Sequence, residues 1–258
     1  MLVDSHCHLT EDRLEKRLDE ILDGMRTEEI KKVMTASTSV EDSRAVIELV
    51  KKFQEVDGVI GIHPEMVRES SFDVDGEIEK LKKLVEEERK VIRGIGEIGL
   101  DFYYDKEKKS EETQIKLFEE QLGLAVKEGL PVVIHMREAG EETVEVLKGF
   151  DGVRGMFHCW SGSEEFLRFI LSRGFYVSVA GNVTFNSAGE LRRLVSLIPK
   201  DRLLLETDSP YLSPEPVRGR LNEPKNVKIL AKFVAGLRKI ETQSLIKQTG
   251  KNYLCLFG

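Results

Sequence analysis

The sequence predicts an α/β protein of the (β/α)8 TIM barrel class, with its active site at the C-terminal ends of the strands. Three observations carry this. Short apolar runs alternate with amphipathic stretches along the whole chain, the apolar runs number eight, and 258 residues suit such a barrel as one domain, 1–258. A doubly wound open sheet is the alternative reading of the same alternation.

The strands are expected at 1–5, 32–36, 58–62, 91–95, 131–134, 153–157, 175–179 and 202–205. The clearest helix spans 110–128, where Ile115, Phe118, Leu122 and Ala125 recur at helical spacing behind a Ser110 N-cap. Further helices are expected near 39–53, 75–88, 141–147, 164–173 and 188–198. The charged run 77–90 is striped with Ile78, Leu81, Leu84 and Val85, which reads as a helix with one solvated face. Prolines and glycines after Pro210 predict a long loop after the last strand, then closing helices. No internal repeat, low-complexity tract or Pro/Gly/Ser-rich linker divides the chain.

Hydrophobic residues make up 40% and charged residues 33%, a globular composition with a well-solvated surface. The N-terminus has no basic and apolar leader pattern, and no stretch approaches the ~18 apolar residues of a membrane span. The expectation is a soluble cytoplasmic protein with no membrane partner. Three widely separated cysteines, Cys7, Cys159 and Cys255, argue against a disulfide framework. A formal charge of -7 excludes broad, sequence-independent adhesion to nucleic acid through a basic surface. It leaves a nuclease open, because bound cations can supply charge where a phosphate sits.

The chemistry begins at Asp4-Ser5-His6-Cys7-His8. Strand periodicity turns the imidazoles of His6 and His8 to one side, toward the barrel interior. An isolated His-x-His pair serves a hydrogen-bonded structure as readily as a metal. The other three histidines, His63, His135 and His158, also each follow an expected strand, so all five gather where barrel active sites are built. Glu97 in Gly96-Glu97-Ile98-Gly99 and Asp208 in Thr207-Asp208-Ser209 join them, and a buried carboxylate beside histidines calls for a cation. The glycines flanking Glu97 suit either a close approach of backbone or substrate, or a bulge.

His6, His8, Glu97, His135, His158 and Asp208 offer more ligands than one tetrahedral ion uses with an open position, so two divalent metal ions are expected. Glu97 is placed to bridge them, and Asp208 to take the proton of a water that the ions activate. No Gly-rich phosphate loop, Gly-x-Ser-x-Gly elbow or Cys-x-x-Cys ribbon offers a rival apparatus.

Asp4-Ser5-His6-Cys7-His8-Leu9, Gly61-Ile62-His63-Pro64, Gly96-Glu97-Ile98-Gly99-Leu100-Asp101-Phe102, Pro131-Val132-Val133-Ile134-His135, His158-Cys159-Trp160-Ser161-Gly162 and Glu206-Thr207-Asp208-Ser209-Pro210-Tyr211-Leu212 follow one another in an order that closely resembles the TatD-like metal-dependent deoxyribonucleases of the amidohydrolase superfamily. The resemblance runs nearly end to end. It implies one ion among His6, His8, Glu97 and Asp208 and another among Glu97, His135 and His158. It also implies magnesium, manganese or zinc as the metal, and DNA as the partner, cleaved 3'-to-5' on single strands, with RNA as an alternative. Trp160 departs from the phenylalanine common in its motif, and Glu97 stands where related amidohydrolases often carry a carboxylated lysine.

Among supporting residues, His63 is expected to contact phosphate or protonate the leaving oxygen rather than bind metal, with a structural histidine as the alternative. Arg137 and the loop arginines Arg218 and Arg220 are candidates for holding the nucleic-acid backbone, since guanidinium forks match phosphate oxygens. Trp160 suits stacking on a base or simple packing. Asp101, Tyr103 and Tyr104 are expected to shape the rim, with a loop hydrogen bond as the plainer role for Asp101. The leading expectation is therefore phosphodiester hydrolysis with Asp208, Glu97 and His63 as catalytic groups. Hydrolysis of a small amide, lactone or ester, and a non-catalytic binding module, are the alternatives.

Overall fold

The computed structural model describes residues 1–68 and 72–258. Its eight strands are β1 (Leu2–Cys7), β2 (Ile30–Ala36), β3 (Val56–Ile60), β4 (Gly94–Asp101), β5 (Val132–Arg137), β6 (Gly155–Phe157), β7 (Tyr176–Val179) and β8 (Leu203–Leu205). They lie in sequence order, each parallel to the next. The ring closes beyond β8, through a parallel bridge between Cys7 and Ser209. The fold is the expected (β/α)8 barrel.

The helices are α1 (Asp12–Glu15), α2 (Leu18–Thr27), α3 (Val40–Lys52), α4 (Val74–Glu88), α5 (Glu111–Glu128), α6 (Gly140–Lys148), α7 (Glu164–Ser172), α8 (Gly189–Leu197), α9 (Val227–Leu237) and α10 (Thr242–Phe257). Side chains of Ser39, Asp73 and Ser163 accept backbone N–H bonds at the starts of α3, α4 and α7, satisfying donors the helix leaves open. Ser110 occupies the expected cap position of α5 without capping it. Its hydroxyl instead donates to Asp105 at 2.6 Å, and Asp105 also accepts the N–H groups of Lys109 and Ser110. The sequence reading offered no helix between the first two strands. α2 lies there, burying Ile21, Leu22 and Met25 behind a start at Arg17 that lacks a side-chain cap, so the usual start signal is missing.

The largest boundary difference is β4, expected at 91–95 and found at Gly94–Asp101. Its glycines resemble a loop but permit contact between strands. A Cβ on Gly96 would lie 2.7 Å from the Cβ of Val133, and one on Gly99, at φ 140°, would lie 1.9 Å from the His135 carbonyl oxygen. Both close backbone approach and a register shift between Ile95 and Ile98 are present.

Val3, Met34, Val59, Val133, Met156 and Leu204 from six strands share one apolar cluster with Tyr253, Leu256 and Phe257 of α10. The C-terminal helix thereby seals the barrel opposite the histidines, and the Tyr253 hydroxyl donates to Asp57 at 2.7 Å. Core side chains of α5 such as Phe118 and Leu122 are fully buried, each worth about 1.5–3 kcal/mol relative to exposure. Among the described residues, no helix is long and apolar enough to cross a membrane.

Candidate active site

All six expected ligands converge at the C-terminal mouth. His6 lies in β1 with His8 just beyond it, Glu97 sits inside β4 and His135 inside β5, and His63, His158 and Asp208 follow β3, β6 and β8. Backbone pairing past β8 brings in the last of these: the Asp208 N–H donates to the His6 carbonyl at 3.0 Å, and the His8 N–H to the Ser209 carbonyl at 2.8 Å.

Glu97 is the centre, and its two oxygens face different groups. Oε2 lies 3.3 Å from His6 Nε2 and 3.4 Å from His8 Nε2. Oε1 lies 2.7 Å from His158 Nε2, 2.9 Å from His135 Nδ1 and 3.3 Å from His63 Nε2. Asp208 Oδ1 stands 3.7 Å from His6 Nε2 and 3.6 Å from His8 Nε2. Three sets of donor atoms lie close enough to hold an ion: His6, His8 and Glu97; His6, His158 and Asp208; and His63, Glu97 and His135.

Partners behind the imidazoles decide which nitrogen carries the proton. His8 Nδ1 is 3.2 Å from the Ala36 carbonyl, so it donates there and leaves the Nε2 lone pair facing Glu97 and Asp208. His135 Nε2 is 2.9 Å from Asp101 Oδ2, which turns the Nδ1 lone pair toward Glu97. A carboxylate or carbonyl behind a histidine is the arrangement that orients metal ligands. His63 is wired the opposite way. Its Nδ1 accepts the Glu65 N–H at 3.1 Å, so Nε2 carries the proton and points into the site as a donor.

The surrounding carboxylates favour positive charge on three of these rings. Burial pulls His8 down, but the hydrogen bond to Asp208 and the charge of Glu97 push it up to about 9. Burial also opposes charge on His135 and His158, yet Asp101 and Glu97 raise the former, and Glu97 and Glu206 raise the latter well above the ordinary value. Burial lowers His6, with the neighbouring His158 adding to the effect. Burial raises the carboxyls of Glu97 and Asp208, but the imidazoles outweigh it and both end below their ordinary values. Protons here stand where cations would, between nitrogen and carboxylate. Among the described residues the buried His6 Nδ1 finds no hydrogen-bond partner, and at 3.3 Å from each other His6 Nε2 and His8 Nε2 cannot both hold protons comfortably. This donor set fits divalent ions.

Asp101 makes the loop hydrogen bond expected of it, accepting the Tyr103 N–H, but sequence reasoning missed three kinds of support. Asp101 also orients His135 and lies 3.7 Å from Arg137 Nη1. Glu206, fully buried, lies 3.4 Å from His158 Nδ1 and accepts the Cys159 N–H. Two buried amides of α5, Gln114 and Gln121, bond the backbone of Asp101 and Ile62 through both donor and acceptor. Polar residues seven apart within an apolar helical stripe were the available signal.

Arg137 reaches the cleft, half exposed. Trp160 does not. It is 2% exposed within the main core, so its ring has no face free for a base, and packing is its role. Arg220 is exposed in the loop after β8 and outside the cleft lining, while Arg218 stacks on Phe185 at 4.1 Å.

A cleft of about 1080 Å³ opens above Glu97. Histidine lone pairs and carboxylates gathered at the C-terminal mouth of a parallel barrel mark the class of metal-dependent hydrolases. Within that class, a family model described as TatD related DNase matches residues 3–258. The chain is 34% identical over 260 residues to YabD of Bacillus subtilis, an uncharacterized metal-dependent hydrolase, covering 100% of this chain and 99% of that one. It is 34% identical to YcfH of Escherichia coli, named likewise, covering 99% and 95%. The crystal structure of YJJV, a TatD homolog from Escherichia coli, superposes with a TM-score of 0.91 at 26% identity, covering 99% and 97%. The chain belongs to the TatD family and is a metal-dependent hydrolase.

Proposed function

We propose that this hydrolase is a deoxyribonuclease that removes nucleotides from 3' ends of single-stranded DNA, using two divalent ions. The observation that carries the reading is the split of Glu97, whose Oε2 faces His6 and His8 while Oε1 faces His135 and His158. One carboxylate thus serves two neighbouring donor sets, with Asp208 completing the first. The description of the matching family as a DNase supports the phosphodiester substrate.

Divalent ions, magnesium, manganese or zinc, when bound would supply Lewis acidity toward phosphoryl oxygens and acidify water. The remaining work falls to the side chains. Asp208 accepts the proton of the attacking water, His63 Nε2 donates toward the leaving oxygen, and Arg137 holds a phosphate oxygen at the cleft wall. Asp208→Ala is expected to abolish cleavage of single-stranded oligonucleotides by metal-loaded protein while the far-UV spectrum is retained. Product ladders from 5'- and 3'-labelled strands read the polarity. Cleavage by Asp208→Ala at the wild-type rate sinks the assignment.

A second reading is favoured by the rim, where Glu11, Asp12, Asp42 and Glu65 line the cleft beside Arg137, the one arginine of its lining among the described residues. Such a wall suits a less anionic substrate, a small amide, lactone or ester. A substrate panel decides between them: turnover of lactones or amides with no oligonucleotide cleavage establishes the second reading.

A further inference from the structure

Two exposed tyrosines flank the cleft, and the barrel sets them on opposite walls. Tyr104, 60% exposed, follows β4, and Tyr211, 47% exposed, follows β8. In an eight-stranded ring taken in sequence order, strands four places apart face one another across the mouth. Both rings line the cleft that contains Glu97. Scattered surface tyrosines need no explanation, but these are each tied to a different half of the ligand cluster.

The Tyr211 ring centroid lies 6.1 Å from that of His8. Tyr104 packs edge-on against Tyr103 at 4.6 Å, and Arg137 lies over Tyr103 at 3.6 Å and 5.2 Å from Tyr104. Arg137 in turn lies 3.7 Å from Asp101, the carboxylate behind His135. A cation also accompanies the far ring, with Arg13 at 5.2 Å from Tyr211. Each wall therefore presents an exposed tyrosine to the cleft; Arg137 stands beside Tyr104 for a phosphate, whereas Arg13 beside Tyr211 is paired with Glu11 at 2.7 Å, so on that wall the ring alone offers a stacking surface without reading sequence.

We propose that Tyr104 and Tyr211 form an aromatic clamp that stacks the two nucleobases flanking the scissile phosphate of a single strand. The inference rests on the phosphodiester reading above. A phosphate seated over Glu97 sends one nucleoside toward the His8 side and the other toward the His135 side, where the tyrosines stand. Paired bases in a duplex hide their faces, so the clamp selects unpaired ends.

The test uses the metal-loaded full chain and short single strands carrying one abasic site on either side of the terminal phosphodiester. In wild type each abasic site is expected to lower kcat/KM about tenfold, mostly through KM, the scale of one base–aromatic stack. Tyr104→Ala should lose sensitivity on one side and Tyr211→Ala on the other, with Tyr104→Phe and Tyr211→Phe restoring it. In stopped flow, 2-aminopurine fluorescence should be quenched before cleavage by wild type, and less by the alanine variants. Wild-type cleavage that ignores abasic sites, or alanine variants with unchanged KM and quenching, overturns the clamp alone. No oligonucleotide cleavage by wild type overturns the phosphodiester reading and the clamp with it.

Discussion

The backbone N–H of Asp208 donates to the carbonyl of His6 at 3.0 Å, joining the segment after the last strand to the first strand. One residue earlier in the same seam, Thr207 donates from its N–H and hydroxyl to the buried Asp4 at 2.8 and 2.5 Å. Asp4 thus sets the register that places Asp208 against His6 and His8. Burial pushes the Asp4 carboxyl up toward its neutral form, and Thr207→Val removes the hydroxyl's bonds to Asp4 and to Ser209, which should cost about 0.5–1.5 kcal/mol for each bond in urea denaturation. Divalent-ion affinity should fall with it. Unchanged stability would show that Asp4 does not hold the seam.

Asp101 acts on the site through His135. Removing a carboxylate behind a metal-binding imidazole costs 10- to 100-fold in affinity, and Asp101→Ala is expected to weaken divalent-ion binding by about that much. Isothermal titration reads this directly. Full affinity in the variant would mean that Asp101 only shapes the loop.

Gln121 bonds both the N–H and the carbonyl of Ile62, next to His63. Gln121→Leu leaves two buried backbone groups unpaired at about 1–3 kcal/mol each. It should also lower kcat by letting His63 drift, so the denaturation midpoint and turnover should fall together. A drop in stability with normal turnover would separate His63 from this anchor.

The pH dependence of stability should change sign with metal. Without metal, His8 is raised from an unfolded value of about 6.5. Its native value is about 9. A raised pKa means the native state holds the proton more tightly, so this stabilisation is complete below the unfolded value and is lost as pH rises through the folded one. His135 and His158, raised as well, act in the same direction, and the three outnumber His6 and His63, which burial lowers and which act in the opposite one. A bound ion takes these lone pairs and removes the dependence, while binding itself weakens as pH falls. Thermal midpoints across this range, in chelator and in excess divalent ion, check both slopes. A chelated protein that gains stability as pH rises would contradict the assignment.

Trp160→Phe should leave the KM for oligonucleotides unchanged, because the indole is buried. It should lower stability by on the order of 1–2 kcal/mol as a small cavity opens. A raised KM at unchanged stability would restore a stacking role.

Barrel class and the clustering of the candidate ligands were legible in the sequence because they rest on local signals. Eight apolar runs name the fold, and six of them end near a histidine or carboxylate, collecting His6, His8, His63, Glu97, His135, His158 and Asp208 at one mouth. The close approach and bulge at Gly96 and Gly99 were legible, but the reach of β4 to Asp101 was not, since the apolar run that marks the strand ends before Glu97 and the residues it meets, Val133 and His135, lie on another strand. The roles of Asp101, Glu206, Gln114 and Gln121 were hidden for the same reason: a side chain's hydrogen-bond partner lies on another element.

Residue type and strand periodicity by themselves determined that this chain is a barrel with a metal-ligating mouth. Tertiary structure alone decided that His63 Nε2 faces the site as a hydrogen-bond donor, that Glu97 faces two donor sets, that Trp160 packs, and that Tyr104 and Tyr211 line one cleft from strand ends four places apart in the ring. The physical reason is that tautomer, burial and opposition are properties of neighbours, and neighbours such as Asp4 and Thr207, 203 residues apart, meet only when the ring closes.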